Sequence, residues 1–276
     1  MAGVEAPGFD ASDGSPRPEL DGQIAVVTGG GGAIGADIAR ELAAAGMRVA
    51  VTGRTRESVE RVAAEIGGIA LVGDVSKRTD VEAWFSEIRA TLGPVDLLVN
   101  NAAVIGAPEP FWELDPAVWW RVYEVNVLGV FLCCRAVAEM MVERRRGRIV
   151  NVTSGAAYIR DIPPNAQDTS YPPSKAAVTR FTERLAAQLE PFGVFAFAMA
   201  PGIVRSRLTA DLPETTPWTP PDAPARLVGK IATGTADPLT GRYLHAEHDA
   251  DLEALARRAD EVILHDLNAL RLRRDP

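Results

Sequence analysis

Short apolar runs rich in Val, Ile, Leu and Ala alternate along this chain with longer amphipathic stretches. The apolar runs have the length and β-branched content of buried strands, and the stretches between them repeat apolar residues every three or four positions, as helices do. Such alternation is typical of βαβ units, so the pattern predicts an α/β fold with one doubly wound parallel sheet and helices on both faces. The predicted strands are 24–28, 48–52, 69–72, 95–100, 148–153 and 194–200.

The amphipathic stretches predict helices that connect these strands, and two later regions depart from the alternation. Residues 201–224 are rich in Pro, Thr and Asp, which indicates a mobile loop with a short helix. Residues 251–273 carry apolar side chains at helical spacing and predict one further helix. The connecting helices are predicted at 33–45, 57–66, 81–92, 116–145 with a bend near Gly129, and 174–189.

The ends of the chain are predicted to differ from its centre. Residues 1–20 are rich in Gly, Pro, Asp and Ser, which predicts a disordered leader, and they lack the basic and apolar regions of a signal peptide. We expect residues 21–248 to form the main domain, and residues 249–276 a C-terminal helical extension of it.

Composition narrows the classes of function. The chain has 276 residues, of which 47% are hydrophobic, and a formal net charge of −8. This composition is that of an ordinary soluble globular protein. The negative charge argues against nucleic acid or an anionic membrane as a partner. No apolar run is predicted to reach the ~20 residues of a membrane span.

Both cysteines are adjacent, Cys133 and Cys134, inside an apolar helical stretch. Neighbouring positions on a helix point in different directions, so a disulfide between them is disfavoured. Two buried free thiols indicate a reducing compartment, and we therefore predict a cytoplasmic protein.

A glycine-rich turn, residues 28–35, joins the first predicted strand to the first predicted helix. Glycines at this place let the backbone approach a pyrophosphate, which sits on the helix N-terminus. A plain glycine-rich loop is the alternative, but the position between strand and helix fits a Rossmann-type dinucleotide fingerprint. Residues 21–248 are therefore predicted to be a dinucleotide-binding catalytic domain.

The end of the second predicted strand bears on the choice of dinucleotide. A carboxylate there would bind the ribose hydroxyl of NAD, whereas this chain has Gly53 followed by Arg54. A guanidinium suits a 2′-phosphate through bidentate pairing. The sequence thus favours NADP(H) over NAD(H), with a solvated surface arginine as the alternative.

Tyr171 and Lys175 lie four residues apart, which places them on one face of a helix. A free phenol has a pKa near ~10 and exchanges protons poorly at neutral pH. A neighbouring ammonium favours the phenolate, so we expect Lys175 to lower the pKa of Tyr171. The pair is a candidate acid/base catalyst.

Together these motifs resemble the short-chain dehydrogenase/reductase family, in the family's order, over residues 23–206. Four positions depart from the pattern: Ala33 and Ala103 stand where the family has glycine, Ser206 where it has Thr, and Ala200 where Asn is common. The similar segments are the turn at 28–35, Asp74-Val75, 100–103, Asn126, 151–154, Tyr171 with Lys175, and 201–206.

The resemblance implies a hydride-transfer site. Ser154 would hold the substrate oxygen, Tyr171 would exchange the proton, and Lys175 would tune Tyr171 and bind the nicotinamide ribose. Asn126 would anchor a water that links Lys175 to solvent. The implied cofactor-binding residues are Gly29, Gly31, Ile34, Gly35, Arg54, Asp74, Val75, Asn101, Ala102, Tyr171, Lys175, Pro201, Gly202, Val204 and Ser206.

The expected function is oxidoreduction between NADP(H) and a carbonyl or secondary alcohol of a small, fairly apolar substrate. The alternatives are an NAD(H)-dependent alcohol dehydrogenase, an epimerase or dehydratase of the same fold, and a catalytically silent cofactor-binding regulator. Family members form homodimers or homotetramers, and we expect the same here.

Two further sequence features bear on the candidate site. His245, His248 and Asp249 lack a further strong ligand at metal-binding spacing, so no metal site is predicted. The segment between Ser154 and Tyr171 is longer than usual for the family and should form part of the substrate wall. Its Tyr158 is not the catalytic tyrosine, because Ile162 stands where its lysine would be.

Overall fold

A parallel seven-stranded sheet forms the centre of the protein in a computed structural model that describes residues 17–158 and 168–271. The strand order is β3-β2-β1-β4-β5-β6-β7, and every neighbouring pair is parallel. The chain thus winds outward from β1 in both directions, which confirms the predicted doubly wound sheet. The strands are β1 (Ile24–Thr28), β2 (Arg48–Gly53), β3 (Ile69–Val72), β4 (Leu97–Asn100), β5 (Gly147–Val152), β6 (Val194–Ala200) and β7 (Tyr243–His245).

Helices cover both faces of this sheet, as the sequence predicted. Alternate residues of β1 belong to two separate cores: Ala25 and Val27 pack on one face, and Ile24 and Val26 pack on the other. Burial on both faces explains why the strands are continuous apolar runs. The helices are α1 (Ala33–Ala44), α2 (Arg56–Ile66), α3 (Arg78–Thr91), α4 (Pro116–Tyr123), α5 (Gly129–Arg144), α6 (Tyr171–Leu189), α7 (Ala223–Ala232), α8 (Leu252–Arg257) and α9 (Ala259–Leu264).

The predicted bend near Gly129 lies in a continuous helical run, Pro116–Arg144. A π-helical segment, Glu124–Leu128, separates α4 from α5. By length and composition this run is apolar enough to span a membrane, which corrects the expectation that no stretch reached that length. Half of its most apolar window is nevertheless buried inside the protein, as in a core helix. A search for uninterrupted apolar residues does not find this helical run, because a few polar residues lie within it.

Helix α6 begins at Tyr171, earlier than the predicted start at residue 174. Pro172 and Pro173 occupy its first turn, where the missing N–H groups have no helical acceptor to lose. Tyr171 therefore belongs to the same helix as Lys175, one turn before it.

Both ends of the chain correct the sequence interpretation. Residues 17–20, placed in the predicted leader, belong to the folded part: Leu20 is fully buried, and the Arg17 N–H donates to the Ala45 carbonyl. The earlier leader residues and the last residues of the tail lie outside the described ranges.

The C-terminal extension is two short helices rather than one, because the chain leaves helical geometry at Arg258. Beyond α9, Asp266 and Asn268 adopt positive φ angles of 50° and 52° and turn the chain back. Asn268 then pairs with Tyr243 through backbone and side chain. Helix α7 was not predicted; it packs on α1 and contributes Leu227, Val228 and Ile231 to the core.

Candidate active site

A cleft opens at the carboxyl edge of the sheet, where β1 and β4 lie side by side. The chain leaves these two strands toward opposite sides of the sheet, and ligands of doubly wound folds bind at such a switch point. Ten predicted cofactor residues line the cleft: Gly29, Gly31, Ile34, Gly35, Arg54, Asp74, Val75, Asn101, Ala102 and Ser206.

The glycine turn packs tightly against the end of β4. Gly29 has a φ of +65°, and a Cβ on Gly35 would lie 2.4 Å from the Gly29 carbonyl oxygen. The Asn101 side chain donates to the carbonyls of Thr28 and Gly29 at 3.0 and 3.3 Å. Asn101 therefore acts on the cleft by fixing the shape of the turn.

The first turn of α1 faces the cleft with its backbone amides. Its N-cap, Gly32, has no side chain to occupy them. Unpaired N–H groups at a helix N-terminus attract an anion. The turn and the helix end together fit the pyrophosphate of a dinucleotide.

We expect Gly35→Ala to weaken binding of a nicotinamide dinucleotide by more than about tenfold, because the added methyl group meets backbone on one side and Asn101 Nδ2, at 2.5 Å, on the other. It should also lower the unfolding temperature. Fluorescence titration with NADPH and a thermal melt measure both effects. Gly32→Ala is the matched variant for the melt, since its Cβ would meet only the Gly29 oxygen at 3.5 Å. Equal melting temperatures for the two variants would contradict the tight packing.

Arg54 and Asp74 approach the cleft differently. The Arg54 side chain is exposed at the cleft, and no carboxylate pairs with it within the described residues. Asp74 is engaged by Ser76 and by the guanidinium of Arg121. Partial burial raises the pKa of Asp74, but these hydrogen bonds outweigh it and the pKa is lowered overall. Asp74 therefore remains ionised, and its carboxylate already has partners.

Ser154 and Tyr171 meet just beyond the end of β5. Ser154 Oγ accepts a hydrogen bond from the Ala156 N–H at 3.2 Å, and the same hydroxyl is close enough to the Tyr171 phenol to act on its pKa. The structure thus brings together a serine from a strand end and a tyrosine from a helix start. This is the juxtaposition that the sequence motifs predicted.

Lys175 lies beneath Tyr171 on the same helix. Its Nζ is 5.6 Å from the centre of the Tyr171 ring and donates to the Val152 carbonyl at 2.8 Å. The side chain is only 2% exposed, and burial lowers the pKa of Lys175 to about 8.

The expectation that Tyr171 has a lowered pKa is wrong for this structure. Burial of the phenol raises its pKa, the hydrogen bond with Ser154 opposes that rise, and the charge of Asp168 adds to it. Desolvation outweighs the ammonium because Lys175 Nζ points to Val152 rather than to the phenol oxygen.

Asn126 is fully buried in the π-helical segment. Its amide accepts from the Val104 N–H at 2.9 Å, and its Nδ2 donates to the Val104 carbonyl at 2.9 Å and to Ser174 Oγ at 3.0 Å. Asn126 therefore ties the segment after β4 to α6. The hydrogen bonds of its amide go to Val104 and Ser174 and not to Lys175.

The segment after β6 divides into two parts. Pro201 and Val204 are buried, Gly202 packs against Thr219, and the lining of the cleft begins at Ser206. The Ser206 side chain caps the short turn Arg207–Thr209, the helix predicted within this loop.

The remaining candidate features lie to the side of the cleft. Tyr158 donates to or accepts from the Tyr243 hydroxyl at 2.8 Å. His245 and His248 stack at 4.2 Å. Among residues 17–158 and 168–271, no three metal-ligating side chains gather. Most of the predicted substrate wall after Tyr158 falls outside these ranges.

Sequence reasoning missed one residue beside the site. Asp168 accepts hydrogen bonds from the backbone N–H groups of Ser170 and Tyr171 at the start of α6. The signal was available, because an Asp just before a Pro-containing first turn is typical of a helix N-terminus.

Comparison with known proteins identifies the family. The family model for short chain dehydrogenases matches residues 23–217. A short chain dehydrogenase of Pseudocercospora fijiensis is 39% identical over 203 residues, which cover 70% of this chain and 63% of that protein. This chain therefore spans less than two thirds of the length of that relative.

Two further proteins are similar over most of their length. The 2-dehydro-3-deoxy-L-rhamnonate dehydrogenase (NAD(+)) of a Sphingomonas strain is 36% identical over 195 residues, 70% of this chain and 77% of that protein. The crystal structure of a metagenomic short-chain oxidoreductase in complex with NADP superposes with a TM-score of 0.67 at 34% identity, covering 78% of this chain and 92% of that one. With the parallel sheet, the glycine turn and the Ser154–Tyr171–Lys175 cluster, these matches show that the chain belongs to the short-chain dehydrogenase/reductase family.

Proposed function

We propose that the protein is an oxidoreductase that transfers a hydride between NADP(H) and a carbonyl or secondary alcohol of a small, fairly apolar substrate. The observation that carries the proposal is the meeting of Ser154, Tyr171 and Lys175 at the end of β5. The glycine turn supplies a dinucleotide cleft at the same edge of the sheet. Membership of an oxidoreductase family supports this reading.

Each of the three side chains has a role that its surroundings support. The Ser154 hydroxyl would donate to the substrate oxygen, because it is close enough to the Tyr171 phenol to act on its pKa and both groups would share this oxygen. Tyr171 would give its proton to that oxygen in reduction and take it back in oxidation. Lys175, whose Nζ lies 5.6 Å from the centre of the Tyr171 ring, would favour the phenolate by its charge and bind ribose hydroxyls. The bound nicotinamide supplies the hydride chemistry.

The preference for NADP(H) rests on Arg54, whose guanidinium is exposed at the cleft and available for a 2′-phosphate. The NADP complex of the metagenomic relative agrees with this preference. NAD(H) is the second candidate, because the Sphingomonas relative is named as an NAD(+) enzyme.

The apolar character of the substrate is inferred from the loop that follows β4. Ile105, Phe111 and Trp112 on this loop are 45%, 68% and 80% exposed. The loop begins at the cleft and approaches the start of α6, which supports the proposal that its exposed apolar side chains form part of the substrate wall.

A cytoplasmic homodimer or homotetramer is part of the proposal. Leu128 and Phe131, near the start of α5, are 42% and 46% exposed, so this helix offers apolar surface to a second copy. Cys133 and Cys134 are free and buried, which suits a reducing compartment. Light scattering of the purified protein gives the oligomer mass, and a monomer would overturn the oligomeric part.

The proposed function is tested by NADPH oxidation against acetophenone, ethyl acetoacetate and D-fructose. We expect turnover with at least one of the two less polar ketones. An epimerase or dehydratase would form product without net consumption of NADPH, and product analysis would detect this outcome. NADPH binding without turnover on any ketone or any corresponding alcohol would favour the silent regulator instead.

A further inference from the structure

The carboxylate of Asp168 joins two segments that are far apart in the sequence. Its Oδ1 accepts from the Ser170 N–H at 2.8 Å, from Ser170 Oγ at 2.6 Å and from the Tyr171 N–H at 3.0 Å. Its Oδ2 accepts from the Gly106 N–H at 2.9 Å. One side chain therefore holds the loop after β4 against the residue proposed as the proton donor.

The approach of this loop depends on a glycine. A Cβ on Gly106 would lie 2.3 Å from Ser170 Oγ and 2.5 Å from Asp168 Oδ1. Ser170 is fully buried between the two segments. Neither Ser170 nor the Asp168 carboxylate has room to retreat without losing hydrogen bonds, so the contact requires glycine at this position.

Asp168 keeps its negative charge in this environment. Partial burial raises the pKa of Asp168, but the hydrogen bonds from Ser170, Tyr171 and Gly106 outweigh it and lower the pKa overall. An anion at the start of α6 is also favoured by the helix dipole.

Three groups within the described residues act on the ionisation of the Tyr171 phenol. Ser154, beyond β5, stabilises the phenolate by hydrogen bonding, and Asp168, before α6, opposes it by its charge. The Lys175 ammonium, on α6 itself, lies 5.6 Å from the ring centre and favours the phenolate. The charges of Asp168 and Lys175 thus act on the ionisation of the phenol in opposite directions.

We propose that Asp168 is a positioning residue for Tyr171, which locks the loop at Gly106 onto the start of α6 and whose charge acts against ionisation of the phenol. The proposal rests on the proposed function of Tyr171. It predicts two separable effects, one of charge and one of geometry.

The charge effect is tested with Asp168→Asn in the full-length enzyme labelled with 13C at the tyrosine ring. The chain has four tyrosines, and Tyr171→Phe identifies the signal of Tyr171. We expect the NMR titration of Tyr171 to move to lower pH, because the negative charge that opposes the phenolate is removed. The alkaline limit of NADPH-dependent reduction of ethyl acetoacetate should move with it.

Asp115→Asn is the matched control for this titration. Asp115 caps α4 by accepting from the Ala117 N–H at 2.8 Å and is exposed. It should leave the Tyr171 signal unchanged. An unchanged Tyr171 titration in Asp168→Asn would overturn the charge effect. If the Asn variant does not fold, Asp168→Ser takes its place, because serine also offers an acceptor to the helix start.

The geometric effect is tested with Gly106→Ala, which retains the charge of Asp168. We expect kcat/KM to fall by more than about tenfold while the NADPH affinity stays unchanged. Wild-type kcat/KM in this variant would overturn the positioning role. The NMR titration needs no substrate, so it decides the Asp168 proposal even where full activity of Tyr171→Phe refutes the proposed function.

Discussion

Tyr171→Phe should lower kcat for carbonyl reduction by about 10³-fold while NADPH binding stays within about twofold of wild type. Ser154 acts on the pKa of the phenol, whereas the ring only packs above Lys175. Removing the oxygen therefore removes the proton donor and leaves the packing in place. Steady-state kinetics and a fluorescence titration with NADPH measure the two quantities.

Tyr123→Phe is the control for loss of a phenol. Tyr123 stacks on Trp119 with 4.6 Å between ring centres, and phenylalanine keeps this stack. The control should retain wild-type kcat. If Tyr171→Phe also retained it, the proposed proton donor would be wrong.

Arg54→Asp should change the ratio of kcat/KM for NADPH over NADH by about a hundredfold in favour of NADH. A charge-assisted hydrogen bond to a phosphate contributes about 1.5–3 kcal/mol, and about 1.4 kcal/mol is a tenfold change in affinity. The new carboxylate also repels the 2′-phosphate and accepts from the ribose hydroxyl of NADH. Initial rates with each cofactor at a fixed ketone concentration measure the ratio.

Arg56→Asp is the control for Arg54→Asp, because it makes the same change of charge outside the cleft. Arg56 is exposed on α2 and pairs with Glu60 at 2.8 Å. An exposed pair of this kind contributes little to stability, so the control should keep the wild-type cofactor ratio. An unchanged ratio in Arg54→Asp would show that the guanidinium does not bind the 2′-phosphate.

Much of the sheet follows from local sequence pattern. The bounds of β1, β3 and β6 agree with the apolar runs because a glycine or proline directly follows each run. Helix α7 was missed because its apolar residues follow a Pro-rich loop. The break at Arg258 was missed because the apolar residues keep their helical spacing through it. The return of the chain beyond α9 was missed because it depends on the pairing of Asn268 with the distant Tyr243.

The candidate site shows the same division between local and distant information. Tyr171 and Lys175 were predictable since one turn of one helix relates them. The Asp168–Gly106 contact joins residues 62 positions apart, and no local pattern encodes it. The raised pKa of Tyr171 was likewise beyond prediction, because it depends on how deeply the assembled structure buries the phenol.

The central claim is hydride transfer from NADPH to a carbonyl with Tyr171 as proton donor. NADPH carrying deuterium at the transferable C4 position, incubated with ethyl acetoacetate and the enzyme, tests it most directly by mass spectrometry of the alcohol. We predict deuterium on the carbinol carbon with wild-type protein and almost no alcohol with Tyr171→Phe. Alcohol without deuterium, or equal yields from the two proteins, would contradict the account.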